Sequence, residues 1–198
     1  MSISRWLTDV RAFLLACLIL SACASVPQSR PADAFFSRLT VLCGRAFEGQ
    51  LVSDDPADAA MRGERLVMYV RECSDGEVRI PFHVGADRSR IWVVTRTLDG
   101  LRLKHDHRHE DGSPDTLTNY GGDSRGPGAA ERQAFPADAE SIALFRRENR
   151  DVSVANVWAM EVHADRFAYE LARPGRRFRV EFDLTRPAAA PPPPWGGR

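Results

Sequence analysis

From Arg45 onward the chain alternates apolar and polar residues with a period of two, broken by short turn-forming runs. That period marks strands with one buried and one solvated face. Glu77–Val84 sets Val78, Ile80, Phe82 and Val84 against Glu77, Arg79 and His83; Arg177–Leu184 sets Phe178, Val180, Phe182 and Leu184 against Arg177, Arg179, Glu181 and Asp183. Further strands are predicted at Arg45–Val52, Glu64–Cys73, Arg90–Thr97, Leu101–Glu110, Thr116–Tyr120, Arg132–Phe135, Asn156–His163 and Arg166–Leu171. Leu98-Asp99-Gly100 is a strong hairpin signal, and Asp111–Pro114, His163–Asp165 and Arg173–Gly175 are further turns. Gly121–Ala130, with four glycines and Pro127, reads as a loose connection.

Two stretches follow a helical period instead. Phe35, Phe36, Leu39, Leu42 and Cys43 fall on one face after a candidate cap at Asp33, and Gly44 ends the run. Ala137–Arg147, with Asp138 as its candidate cap, is the second helix. Many short antiparallel strands, each with one apolar face, cannot stay an open sheet without exposed edges. Short connections favour a meander, so the predicted fold is mainly β: an antiparallel up-and-down β-barrel with two short helices, spanning residues 32–185.

The ends differ from this body. Ala12–Leu20 is a nine-residue apolar run after a weakly basic start with Arg5 and Arg11. A membrane-spanning helix needs roughly 20 such residues, so the run fits a signal peptide, residues 1–22. Its end, Leu20-Ser21-Ala22-Cys23, resembles the lipobox of bacterial lipoproteins. The resemblance implies lipid modification of Cys23, the rival being ordinary cleavage and release. In such lipoproteins an Asp after the cysteine favours the inner membrane, so Ala24 implies the outer membrane, facing the periplasm. Residues 23–31 then read as a flexible tether, and residues 186–198 (RPAAAPPPPWGGR) as an unpacked Pro-rich tail.

Removal of residues 1–22 leaves 25 basic and 26 acidic residues, which argues against a nucleic-acid partner. Lys104 is the only lysine; arginine dominance fits anion recognition but also a GC-rich coding sequence, the simpler cause. An exported chain meets an oxidising compartment, and Cys43 and Cys73 fall near the same end of a predicted strand pair. A disulfide between them is favoured over two buried thiols.

The start Cys43-Gly44-Arg45-Ala46-Phe47-Glu48-Gly49, following a helix, resembles that of lipocalin-like barrels, with Phe47 in place of the usual Trp. Residues 44–185 resemble an uncharacterised family of bacterial secreted proteins and lipoproteins, through Val70–Cys73, Ile80–Gly85, Leu103–Gly112, Tyr120–Asp123 and Asn156–Trp158. That family supplies no activity.

Candidate chemistry is densest at Leu101–Glu110. In a strand, Leu101, Leu103, His105, His107 and His109 share one face, so a histidine stripe continues the apolar side; His83 is a candidate to join from a neighbouring strand. Histidines two apart lie about 6.5 Å apart along a strand, within reach of one zinc at about 2.0–2.1 Å per nitrogen. Metal ligation by His105, His107 and His109 competes with a polar barrel mouth in which the histidines bond carboxylates, water or a ligand. His105 and His109 are too far apart to share one ion, so a site needs one adjacent pair and a ligand from elsewhere. Trp92, Tyr120, Trp158 and Tyr169 are candidates to line a cavity, core packing being their default role. Hydrolase elbows, His-Glu-x-x-His and phosphate loops are missing from the chain.

The leading expectation is a non-enzymatic outer-membrane lipoprotein whose barrel binds a small-molecule ligand or partner. A zinc-binding protein or metal-dependent enzyme is the second expectation, and a structural envelope protein the third.

Overall fold

The computed structural model describes residues 30–197. The segment that resembles a lipobox, Cys23 and nearly all of the expected tether lie outside them. Two helices, α1 (Pro31–Thr40) and α2 (Ala139–Arg147), accompany eleven strands. The strands are β1 (Arg45–Leu51), β2 (Leu66–Val70), β3 (Glu72–Cys73), β4 (Glu77–Val84), β5 (Asp87–Arg96) and β6 (Leu101–His107). They continue with β7 (Tyr120–Asp123), β8 (Arg132–Pro136), β9 (Val157–Val162), β10 (Arg166–Arg173) and β11 (Arg176–Ala188). All pairings are antiparallel, in the order β7-β6-β5-β4-β2-β1-β11-β10-β9-β8, with β3 extending the β2 side along β4. Chain neighbours are thus sheet neighbours, and the sheet rolls into a nearly closed up-and-down barrel, as the alternation predicts.

Closure falls between β7 and β8, which share no ladder. Gly121 bridges the gap: its carbonyl accepts from the Asp138 amide (2.9 Å) and the Ser141 hydroxyl (2.9 Å), and its amide donates to Ser141 Oγ (2.7 Å). A Cβ on Gly121, at φ +151°, would lie 1.9 Å from the Leu103 carbonyl oxygen, and one on Gly122 would lie 1.9 Å from that of Pro136. Glycine is required at both positions by close backbone approach. This corrects the expected layout: Gly121–Asp123 continue a strand rather than opening a loose segment, and of the expected strand Thr116–Tyr120 only Tyr120 belongs to it.

Helix α1 plugs one end. Pro31 opens it, where a missing N–H costs nothing. Asp33 does not cap it; its carboxylate pairs with Arg30 (2.8 Å) and with Arg96 of β5. The helix buries Phe35, Phe36 and Leu39 completely or nearly so, each contributing about 2 kcal/mol. Arg30 donates to the Leu98 carbonyl (3.0 Å) and Arg38 pairs with Glu131 (2.8 Å), fixing the helix against the β5–β6 turn and the approach to β8. Gly44, at φ +79°, then turns the chain into β1. The expected disulfide is present at this end: Cys43 bridges to Cys73 across a Cα separation of 6.3 Å. Above the plug, Phe47, Met68, Phe82, Trp92, Val94, Leu103, Met160, Phe167, Val180 and Phe182 fill the interior. Among the described residues no helix is long and apolar enough to cross a membrane.

The outer face of β9–β11 carries an ion-pair grid. Glu161 pairs with Arg179 (2.9 Å) and Arg132 (2.6 Å), and Glu170 with Arg177 (2.8 Å) and Arg179 (3.3 Å). Hydrogen bonds from Arg179, and then Arg132, hold the Glu161 carboxyl down at about 2.

Two expectations for the ends need correction. Pro31 belongs to α1 rather than to a tether. The C-terminal segment is packed: Arg186–Ala188 extend β11, Trp195 N–H donates to the Arg88 carbonyl (3.0 Å), and Arg88 Nη1 donates to that of Pro193 (3.1 Å). Four prolines hold this return path extended at little further entropic cost, and Pro194 is buried against the barrel.

Candidate functional site

The end opposite α1 is open. A cavity of about 430 Å³ sinks into the barrel there. β5 supplies Arg90 and Trp92, β6 supplies His105 and His107, β7 Tyr120, β9 Trp158, β10 Tyr169 and β11 Phe178. Strand alternation places them: Trp92 is paired with His105, Arg90 with His107, and His105 with Tyr120. The 3-10 turns Pro56–Met61 and Asp151–Ala155, together with the end of α2, complete the rim through Asp58, Met61, Phe145, Arg150 and Ser153.

The floor is a stack of rings. Trp92 lies parallel to Tyr169 at 4.3 Å and to Phe82 at 4.8 Å, and His105 stacks on Tyr120 at 4.7 Å. Trp158 closes on His105 at 5.0 Å and on Tyr120 at 5.6 Å. The four aromatics named as cavity candidates line this one, while Trp92, Trp158 and Tyr169 are also buried in keeping with the default core role.

His105 is 2% exposed and both its nitrogens are engaged. Nδ1 faces the Tyr120 carbonyl oxygen at 3.0 Å. A carbonyl only accepts, so the ring proton sits on Nδ1 and Nε2 accepts from the Tyr169 hydroxyl at 2.7 Å. Burial takes the imidazole down to about 3, with help from neighbouring His107, and raises the Tyr169 hydroxyl well above its ordinary value. The Tyr120 hydroxyl lies 3.1 Å from His107 Nε2; the phenol is the better donor and the imine nitrogen the better acceptor, so Tyr120 donates. Burial, then the charge of Arg90, takes His107 down to about 4, and burial raises Tyr120 to about 12. At neutral pH all four groups are uncharged. The floor is polar in places but carries no charge.

The histidine stripe does not converge on a metal. β6 ends at His107, and His109 lies beyond it in an exposed turn, where its amide donates to the Ser113 carbonyl (2.8 Å). His105 has no free nitrogen. His83 lies on the outer face of β4, beneath the C-terminal segment, and does not join the stripe. Among the described residues no group of three His, Cys, Asp or Glu is placed to hold a metal ion. Of the two readings, the arrangement matches the polar barrel mouth rather than zinc ligation drawn from His105, His107 and His109: His105 and His107 form an uncharged hydrogen-bonded wall, and the strand ends before His109.

The even positions of β6 behave as outer-face residues. Asp106 pairs with Arg79 (2.9 Å) and Arg108 (2.8 Å), and Lys104 with Asp138 (2.7 Å) and Glu140 (3.3 Å).

The rim arginines were not singled out by sequence reasoning. Arg90 pairs with Asp87 (2.5 Å), and Arg176 with Asp55 (3.1 Å) and Asp58 (2.5 Å). Arg173 donates to the Asn156 side-chain carbonyl (3.0 Å). Two signals were available: alternation puts Arg90 on the face of Trp92 and Arg173 on that of Leu171, and Arg173 and Arg176 flank the Pro174-Gly175 turn, at the tip of one hairpin.

Comparison with family models, curated proteins and solved structures finds no match to the chain.

Proposed function

We propose that this protein is a non-enzymatic, envelope-anchored binding protein that takes a small amphipathic molecule into the open end of a lipocalin-like barrel. One observation carries the reading: a side-chain-filled barrel closed by a helix at one end holds a cavity of about 430 Å³, floored by aromatic rings, at the other. That volume lies in the range of small-molecule sites. A general acid or base works best with a pKa near the working pH; here burial moves both histidines and both tyrosines away from it. This favours binding over catalysis.

The lipobox gives the anchor, with Cys23 as the lipidated residue in the outer membrane. Seven residue steps separate Cys23 from Arg30, a reach of at most about 25 Å. Because α1 starts at the plugged end, this tether keeps that end nearest the lipid and leaves the cavity facing the periplasm.

The test is a titration of the purified domain with N-phenyl-1-naphthylamine, a neutral apolar fluorophore. Saturable one-to-one binding is expected, and Leu171→Trp, which fills the cavity from its lining, should abolish it. Absence of saturable binding, or binding indifferent to that substitution, overturns the reading.

A further inference from the structure

We infer that the molecule bound in the barrel mouth is an organic anion, a carboxylate, sulfonate or phosphate on an aromatic or acyl body, whose head is gripped by Arg150 and Arg173. The inference rests on the cavity reading above and adds the charge and its partners. Four arginines line the mouth, but they are not equivalent. Arg90 and Arg176 are neutralised by Asp87 and by Asp55 with Asp58. Arg173 contacts only the neutral amide of Asn156, and Arg150, exposed, makes no side-chain hydrogen bond or ion pair with any described residue.

The two unneutralised guanidiniums share one side of the rim. Arg150 immediately precedes the 3-10 turn Asp151–Ala155 and Asn156 immediately follows it. The Arg150 carbonyl accepts from Ser153 N–H (2.8 Å) and the Ser153 carbonyl from Asn156 N–H (3.1 Å). This compact turn fixes Arg150 close to the residue that holds Arg173. The remaining carboxylate of the lining, Asp115, has Oδ1 engaged by the Leu117 amide (2.9 Å). Over the whole rim the four arginines are matched by Asp55, Asp58, Asp87 and Asp115, but the unpaired positive charge is gathered at Arg150 and Arg173, above a floor of uncharged rings. A guanidinium offers paired donors to an oxyanion, and an apolar body below it exploits the rings without burying a charge. A neutral ligand would gain nothing from the two guanidiniums, and a cation would be repelled by them.

The experiment compares two fluorophores of similar shape: anionic 1-anilinonaphthalene-8-sulfonate and neutral N-phenyl-1-naphthylamine. Each is titrated into the full domain, into Arg150→Gln, Arg173→Gln and the double variant, and into Arg146→Gln as a control for net charge away from the cavity. The sulfonate is expected to bind the parent more tightly than the neutral probe. Each rim substitution should weaken it about three- to tenfold, the size of one partly solvated charged contact, with the neutral probe unchanged. Equal affinity for both probes, or loss of sulfonate binding as large in Arg146→Gln as in the rim variants, overturns the anion inference while leaving the cavity reading intact. Failure of both probes to bind the parent overturns both. Circular dichroism and melting of each variant, matched to the parent, confirm that the substitutions leave the barrel folded.

Discussion

Replacing Cys43 and Cys73 by alanine removes a cross-link that closes a loop of 30 residues at the plugged end of the barrel. In the chain-entropy treatment a loop of that length contributes about 3.6 kcal/mol at 25 °C. For a domain of this size each kcal/mol shifts the melting temperature by about 2–4 °C, so the double variant should melt about 7–15 °C below the parent. Scanning calorimetry on parent and variant, each with and without reductant, measures the effect and its origin together. The parent should fall to the variant's value when reduced, and the variant should not respond. The bridge ties the residue just after α1 to β3, far from the open end. Binding of N-phenyl-1-naphthylamine at 20 °C should therefore survive in the variant. A shift below about 2 °C would refute the reasoning, because it would mean that α1 and the β2–β3 edge are held in place without the constraint. Loss of probe binding at a temperature where the variant is still folded would refute the separation of the two ends.

Three further outcomes follow from other parts of the molecule. Tyr169→Phe leaves the buried His105 Nε2 without its donor and should cost about 1–3 kcal/mol in urea unfolding; combining it with His105→Phe should cost less than the sum of the two single changes. Acid should destabilise the fold from about pH 6.5 downward: His105 and His107 titrate at about 3 and 4 when folded against about 6.5 when unfolded, so the unfolded chain takes up protons first. Urea midpoints at pH 7.5 and 5.0 should differ less in His107→Gln than in the parent, and Glu161, held at about 2, adds its own loss below about pH 4.5. Cys23→Ser should give an unlipidated precursor when cells are labelled with radioactive palmitate; label in that variant would remove the anchor.

Much of the barrel could be read from period-two alternation, because alternation directly records which face is buried. Glu77–Val84 and Arg177–Leu184 became β4 and the core of β11 with the expected inward residues, and Asp99-Gly100 turns β5 into β6. The disulfide followed from pairing the strands on either side of Ser53–Ala60. What stayed hidden depends on parts of the chain distant in sequence. Gly121-Gly122 reads locally as looseness; only the approach of Leu103 and Pro136 from other elements makes it a strand that must lack side chains. The Pro-rich terminus reads as unpacked because its partner Arg88 lies 105 residues earlier and Gly112 is likewise distant in sequence. The histidine stripe was placed on the right face, yet its chemistry was settled by Tyr169, sixty-four residues later, whose hydroxyl occupies the nitrogen a metal would need. Of the rim arginines, Arg90 and Arg173 stand in phase with Trp92 and with Tyr169 and Leu171 on their strands, whereas Arg150 comes from the segment after α2, where no strand periodicity operates.

The join between β7 and β8, the two end strands of the sheet order, has a mechanical consequence. A ladder spreads load over a row of amides, whereas here β7 and β8 meet through a cluster of bonds centred on Gly121. Ser141, which makes two of those bonds, sits on the same helix whose end leads to Arg150. Hydrogen exchange at the Gly121 and Asp138 amides, faster than at the paired amides of β10, would mark this join as the least continuous part of the wall.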